Sequence, residues 1–305
     1  MSSTISLPGD ETDEVPDEED LVEVITKPTD PNTWKPKKFE AVNDAITKIV
    51  KANVKKYKKD DVLLTAVANN GMASYTLNWI ESLNRCKLGD KFLVFAIDQE
   101  LVDTLTDKGY GDHVVLIPGG WFHQKLSKGF AEWLDKDYTP ITHSKSLVVE
   151  RLLYMGITVW FSDVDIVFTS PAIYDYLMMK LTSRKFTEVL FSQETEQKII
   201  NSGFYVMRPT NTNKRILDDS IRIQDTEPQV TQQRAINRVL DEMNLNYQTS
   251  QIALLDLVLF PHGRMYFERQ IPTKYGMEPM IVHANYRKGD AKRISLIEAK
   301  LWYIE

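Results

Sequence analysis

Two carboxylates, Asp163 and Asp165, stand two residues apart, directly after the apolar run 157–161 and before Ile166-Val167-Phe168. A short run of that composition reads as a buried strand, and open α/β sheets take up ligands at the carboxyl ends of their strands. In a fully extended Asp-x-Asp the side chains diverge, but across a turn both reach one hard divalent cation. A cation held there bridges nucleotide phosphates, neutralises their charge and stabilises a departing diphosphate. The same tripeptide also serves in turns and caps without any metal, so the preceding strand is what gives it weight. The sequence has no phosphate-binding G-x-x-x-x-G-K-[ST] loop and no G-x-S-x-G elbow, and its one cysteine, Cys86, builds no zinc cluster.

The elements that must position these carboxylates follow from periodicity. Phe39, Val42, Ile46, Ile49, Val50, Val54 and Tyr57 recur at helical spacing with lysines opposite, predicting an amphipathic helix over 39–57. The run 62–68 is apolar and closed by Asn69-Asn70-Gly71, which suits a buried parallel strand ending in a turn. Helix over 74–88, strand over 92–97, helix over 99–108 and strand over 114–117 follow, and this alternation implies a doubly wound sheet. A helix over 144–154 stops at Gly156, before the strand 157–161 that carries the carboxylates. Beyond them we expect strands at 188–192 and 203–208, helices at 213–223 and 230–243, extended segments at 252–260 and 280–284, and a last helix over 292–302. A loop over 121–138 holds Trp121, Phe122, Phe130 and Trp133, which either shape a binding groove or pack into the core.

With 305 residues, 43% hydrophobic and 26% charged, the chain is long enough for a sizeable core. Its net charge of −6 comes from nine acidic residues before Lys27; the remainder balances 37 basic against 34 acidic residues. Bulk charge therefore argues against nucleic-acid binding while leaving room for a local phosphate pocket. We expect residues 1–38, acidic and then proline-containing, to be a disordered tail and connector, and 39–305 to form one domain. No stretch approaches the roughly 20 apolar residues of a membrane span. No signal sequence and no Asn-x-Ser/Thr sequon is present. A cytoplasmic setting is expected, the alternative being a Golgi-lumenal catalytic domain cut from a membrane-anchored parent.

The segment 152–167, LLYMGITVWFSDVDIV, resembles the LLxLGxxVxxSDxDxV signature of nucleotide-diphospho-sugar transferases, in particular retaining glycosyltransferase family 77. Other blocks are similar to that family in the same order: TAVANNG at 65–71 with LNWIESL at 77–83, NSGFYVMR at 201–208, LFPHG at 259–263, and VHANY at 282–286 followed by Gly289 and Lys292. The resemblance implies a GT-A type fold, a Rossmann-like, mostly parallel open sheet flanked by helices, that uses a UDP-sugar donor and Mn²⁺ or Mg²⁺. It implies that Asp163, Asp165 and His283 hold the metal. Thr65, Ala66, Asn69 and Asn70 would line base and ribose, with Asp163, Val164, Asp165 and Gly289 also on the nucleotide. Lys145 and Lys288 or Lys292 would meet the diphosphate, where an ammonium adds to charge neutralisation. Taken alone, His283 on its apolar stretch reads as an ordinary buried histidine, and each lysine as a solvated one.

One departure bears on mechanism. Where many members begin a helix with Asp-Gln, this sequence has Gln232-Gln233, which leaves Gln233 on the β-face of the anomeric carbon, with Gln232, Gln193 and Glu194 as its neighbours or competitors. An amide there suits retention by a front-face route, in which the leaving diphosphate deprotonates the acceptor hydroxyl. The expected activity is transfer of galactose, xylose, arabinose or glucose to a hydroxyl of a glycan or glycosylated protein. A catalytically silent nucleotide-sugar-binding scaffold, and a metal-dependent hydrolase or nucleotidyltransferase using the same carboxylates, are the alternatives.

Overall fold

A computed structural model describes residues 39–123, 138–195, 198–245 and 251–305. The tail 1–38 and the tryptophan and phenylalanine at 133 and 130 of the aromatic loop lie outside these residues. The chain enters through α1 (Asp44–Asn53), capped by the Asn43 side chain, which accepts from Ile46 N at 2.9 Å. The helix expected over 39–57 is thus shorter. Val54 turns extended, and β1 (Lys55–Tyr57) pairs antiparallel with β2 (Asp60–Ala68) across Lys58, at φ 54°. The lysine-rich stretch therefore supplies a hairpin that helical periodicity hides.

Strands and helices then alternate as expected: α2 (Ala73–Arg85), β3 (Leu93–Ala96), α3 (Gln99–Asp107), β4 (Val114–Leu116), α4 (Tyr138–Tyr154) and β5 (Thr158–Ser162). The chain closes α4 at Gly156, whose φ of 78° lets its N–H reach Leu153 O while Ile157 N reaches Leu152 O. After β5 come β6 (Ile166–Phe168), α5 (Ile173–Ser183), β7 (Val189–Thr195), β8 (Ile199–Met207), α6 (Asn211–Thr226), α7 (Gln232–Glu242), β9 (Ile252–Leu254), α8 (Ile271–Lys274), β10 (Ile281–His283) and α9 (Asp290–Glu298). The extended segment expected over 252–260 stops at Leu254, because the Asp256 carboxylate accepts from Val258 N and Leu259 N and folds the chain into a turn.

The main sheet runs β4-β3-β2-β5-β8-β7-β9, a mostly parallel GT-A type α/β sheet in which β8 is antiparallel to both neighbours. Its strands are apolar on both faces. Leu64, Ala66, Trp160, Phe204 and Val206 belong to one buried cluster, while Leu63, Val67, Phe161, Tyr205 and Met207 belong to the other. That is why 62–68 and 157–161 read as continuous hydrophobic runs rather than alternating ones. Each large apolar side chain so enclosed contributes about 1.5–3 kcal/mol. Trp121, 1% exposed, also joins the core, so this member of the aromatic loop packs inside.

Chain order reverses between β2 and β5. From β2 the chain winds outward to β3 and β4, then returns to place β5 on the other side of β2. The connections that leave the carboxyl ends of these two strands run to opposite sides, and such a switch point is where open α/β sheets take up ligands. Asn69 and Asn70 follow β2, and Asp163 to Asp165 follow β5, so both segments open at this switch point. No helix among the described residues is long and apolar enough to cross a membrane.

Candidate metal and nucleotide site

Two antiparallel pairings build the site around the β5 exit. In the first, Ser162 lies opposite Phe204 of β8, and Asp163 N donates to Gly203 O at 2.7 Å. In the second, β6 pairs with β10 so that His283 faces Ile166, and Ala284 N donates to Asp165 O at 3.0 Å. The turn 163–165 therefore sits between two strands brought from far along the chain. Ser162 locks its start, accepting from Trp79 Nε1 at 3.0 Å and donating to Asp163 O.

The ligating atoms of Asp163, Asp165 and His283 all lie within 4.8 Å of one another. His283 Nε2 is 3.3 Å from Asp165 Oδ1. Lys145, on α4, reaches Asp163 Oδ1 at 2.5 Å, and Lys292, on α9, reaches Asp165 Oδ2 at 2.6 Å. Burial by itself would raise the Asp165 pKa, but the Lys292 ammonium and the His283 imidazole hold it well below the usual carboxylate range. Asp165 is thus an acceptor-only group even though its side chain is only 9% exposed.

A divalent cation fits this donor set. Two carboxylates and one imidazole converge, and Gly203 closes the cradle: a Cβ added there would stand 2.6 Å from His283 Cε1, 2.8 Å from Asp163 Oδ2 and 2.9 Å from Asn201 Oδ1. Only a residue without a side chain lets β8 approach the ligands so closely.

The other candidate residues divide by where they point. Asn201 connects the cradle to its surroundings: its Oδ1 accepts from Gly203 N at 2.8 Å, and its Nδ2 donates to Glu194. Gln233, half-buried, accepts from Ser202 N at 3.2 Å, which places its amide beside the same strand. Gln232 faces the interior instead. It is 1% exposed, and its amide lies against the Tyr205 hydroxyl, short of hydrogen-bond geometry. The Tyr205 pKa is raised by burial and by the nearby Asp163 carboxylate. Gln193 is likewise turned inward and donates to Leu255 O at 2.8 Å.

On the nucleotide side, Thr65 and Ala66 lie within β2 at 0% exposure, and the Thr65 hydroxyl donates to Leu93 O at 2.7 Å. Both are packed within the sheet, below the β2 exit. Asn69 is buried at the strand exit, while Asn70 is exposed and its backbone N–H donates to the Asp98 carboxylate. Val164 is buried between the two aspartates. Gly289, at φ 49°, precedes α9, with exposed Lys288 before it and Lys292 one turn inside. Glu194, already a candidate, lies close to His262 and Tyr286, which the sequence did not single out. The rings of His262 and Tyr286 lie 5.0 Å apart, and burial lowers the His262 pKa to about 4. The available signal was their place within LFPHG and VHANY, next to residues already chosen.

This sheet, with an acidic turn at its switch point, is the GT-A architecture of glycosyltransferases. The fold is similar to the galactosyltransferase LgtC in complex with donor and acceptor sugar analogs, with a TM-score of 0.51 at 10% identity over 79% of this chain and 95% of that one. It is similar too to the glycosyltransferase GlyE of Streptococcus pneumoniae TIGR4, with a TM-score of 0.51 at 11% identity over 80% and 60% of the two chains.

The sequence supplies the family. A model of the nucleotide-diphospho-sugar transferases matches residues 87–296, and the chain belongs to that family. Among curated relatives it is 28% identical over 190 residues to the UDP-galactose:fucoside alpha-3-galactosyltransferase of Dictyostelium discoideum. It is 26% identical over 267 residues to the UDP-D-xylose:L-fucose alpha-1,3-D-xylosyltransferase MGP4 of Arabidopsis thaliana. The matched regions cover 56% and 83% of this chain, and 29% and 73% of those relatives.

Proposed function

We propose that this chain transfers a sugar from a UDP-sugar to a hydroxyl of a glycan or glycosylated protein, with retention at the anomeric carbon. The observation that carries the reading is the convergence of Asp163, Asp165 and His283 at the switch point, each carboxylate backed by a lysine from a different helix. The three side chains would hold Mn²⁺ or Mg²⁺, an oxygen-rich set with one imidazole suiting such ions. When bound, the ion supplies charge neutralisation for the diphosphate.

The chain's own groups account for the rest. Lys145 and Lys292 bring two ammonium charges to the place where a diphosphate would lie, stabilising negative charge as the sugar departs. Gln233 presents an amide and no nucleophile, and the Glu194 carboxylate is engaged by Asn201. Both features support a front-face route, in which the acceptor hydroxyl approaches on the side of the departing diphosphate and gives it the proton. Gln233 then orients the sugar by hydrogen bonding. The relatives use UDP-galactose or UDP-D-xylose and act on a fucoside or L-fucose, so these donors and a fucose-terminated acceptor lead the choice of substrates. A glycosylated cytoplasmic protein is the acceptor class we favour.

The test is UDP release from a panel of UDP-sugars with Mn²⁺, with and without a fucoside and with and without chelator, comparing the wild type with Asp165→Ala. Release from one donor, increased by the fucoside and abolished by chelator and by the substitution, supports the reading. UDP binding with no release from any donor–acceptor pair would instead favour a binding-only role.

A further inference from the structure

A second group of ligating side chains is assembled away from the β5 exit. His123 lies on the connection after β4, His143 on the first half of α4, and Asp225 in the last turn of α6. One ligating atom from each lies within 4.8 Å of the others. His123 Nδ1 is 2.8 and 2.9 Å from the two Asp225 oxygens, and His143 Nε2 is 3.4 Å from Asp225 Oδ1. The two imidazole planes meet at 89° with centroids 5.3 Å apart, and one nitrogen of each ring lies within 3.4 Å of the same carboxylate.

Hydrogen bonding accounts for only half of this arrangement. The His123–Asp225 pair is satisfied as it stands, but His143 is 2% exposed and its Nε2 has no hydrogen-bond partner among the described residues. Native structures rarely retain an unsatisfied ring nitrogen in the interior without a use. Its separation from Asp225 Oδ1 is informative. Tetrahedral zinc, with bonds of about 2.0–2.1 Å, sets its ligand atoms roughly 3.3–3.4 Å apart. His143 and Asp225 already stand at that spacing, and His123 has to withdraw by about half an ångström to match it.

We propose that His123, His143 and Asp225 form a second metal site, distinct from Asp163, Asp165 and His283, that takes a borderline-soft divalent cation of the Zn²⁺ class in a structural role. The donor types sort the two sites. Two imidazoles and one carboxylate favour Zn²⁺ or Co²⁺, whereas two carboxylates and one imidazole suit the harder Mn²⁺ and Mg²⁺. Position suggests the purpose. The site ties α6 and the β4 connection to α4 two residues before Lys145, whose ammonium lies on Asp163. A cation there would fix the helix that delivers this charge without touching the substrate.

The experiment uses the full chain, stripped with chelator and given Zn²⁺ alone. Bound metal is counted by mass spectrometry after dialysis, and thermal unfolding is recorded in parallel. Asp165→Asn removes an anionic ligand of the oxygen-rich site and isolates the second one. In this background one equivalent of Zn²⁺ should remain bound and raise the melting temperature, and adding Asp225→Asn should abolish both effects. His143→Gln should weaken Zn²⁺ binding at least 100-fold while leaving Mn²⁺ binding in an otherwise wild-type chain unchanged. If His143→Gln fails to fold, His123→Gln, on the rim of the cluster, gives the same readout. No bound Zn²⁺ in Asp165→Asn, or binding that survives Asp225→Asn, would overturn the proposal and leave a His–Asp–His hydrogen-bond cluster.

Discussion

Asp165 shows how neighbours decide a residue's chemistry. In an apolar setting its carboxyl would gain a proton, but Lys292 at 2.6 Å and His283 at 3.3 Å keep it anionic, and the same charge attracts a cation. Replacing Lys292 by Gln removes that support together with one of the two ammonium groups. On the order of a 10²-fold loss in kcat/KM for UDP-sugar turnover is expected, measured as UDP release. Gly203→Ala tests the cradle from the opposite side, because the new methyl would press on His283 and Asp163. About 10–100-fold weaker Mn²⁺ binding is expected by titration, with a stability cost of about 1–3 kcal/mol in urea unfolding. At this scale Asp163 and Asp165 were visible from their spacing after an apolar run. The inward turn of Gln232 and Gln193 was not, because which face of an element meets the core depends on what packs against it.

Helices and strands set where these residues stand. The pairing of β6 with β10 places His283 beside Asp165, and Phe168, at 1% exposure, anchors that pairing against Trp79, Trp160 and Phe204. Phe168→Ala should cost about 3–5 kcal/mol, seen as a lower urea midpoint, and should loosen His283 with it. On α4, Glu150 is hydrogen-bonded to Asp218 of α6; burial, opposed in part by Arg151, raises its pKa from 4.5 to about 8. The folded chain therefore retains a proton that the unfolded chain releases between these values. Its stabilising effect is full below pH 4.5 and declines as pH rises to about 8. Glu150→Gln should flatten this dependence and raise the melting temperature at pH 8 relative to the wild type. Strand and helix types were legible here because long amphipathic or doubly buried segments carry strong periodicity. The three-residue β6 and β10 were not legible as partners, since so short an apolar run says nothing about its neighbour.

For the whole molecule, the switch between β2 and β5 turns a sheet into a site, where the acidic turn follows β5 and meets the middle of α4 and the start of α9. Binding there is linked to folding. Mn²⁺ with UDP at 100 times their apparent Kd should stabilise the native chain by about 2.7 kcal/mol, read as a higher melting temperature that Asp165→Ala abolishes. The fold class, the alternation of strands and helices over 62–161 and the acidic turn were legible in the amino-acid sequence, because these rest on local spacing and on runs buried on both faces, whereas β1, β6, α5 and α8 were not read. Motif blocks named His283 and Lys292 by resemblance, and Lys145 was a candidate on the helix before the acidic turn, yet Lys292 and Asp165 are 127 positions apart and nothing local joins them. Their contact, the closing of the cradle by Gly203 and the meeting of His123, His143 and Asp225 all come from tertiary packing. Such contacts arise where strand registers and helix packing bring distant segments together, and that information belongs to the folded chain as a whole.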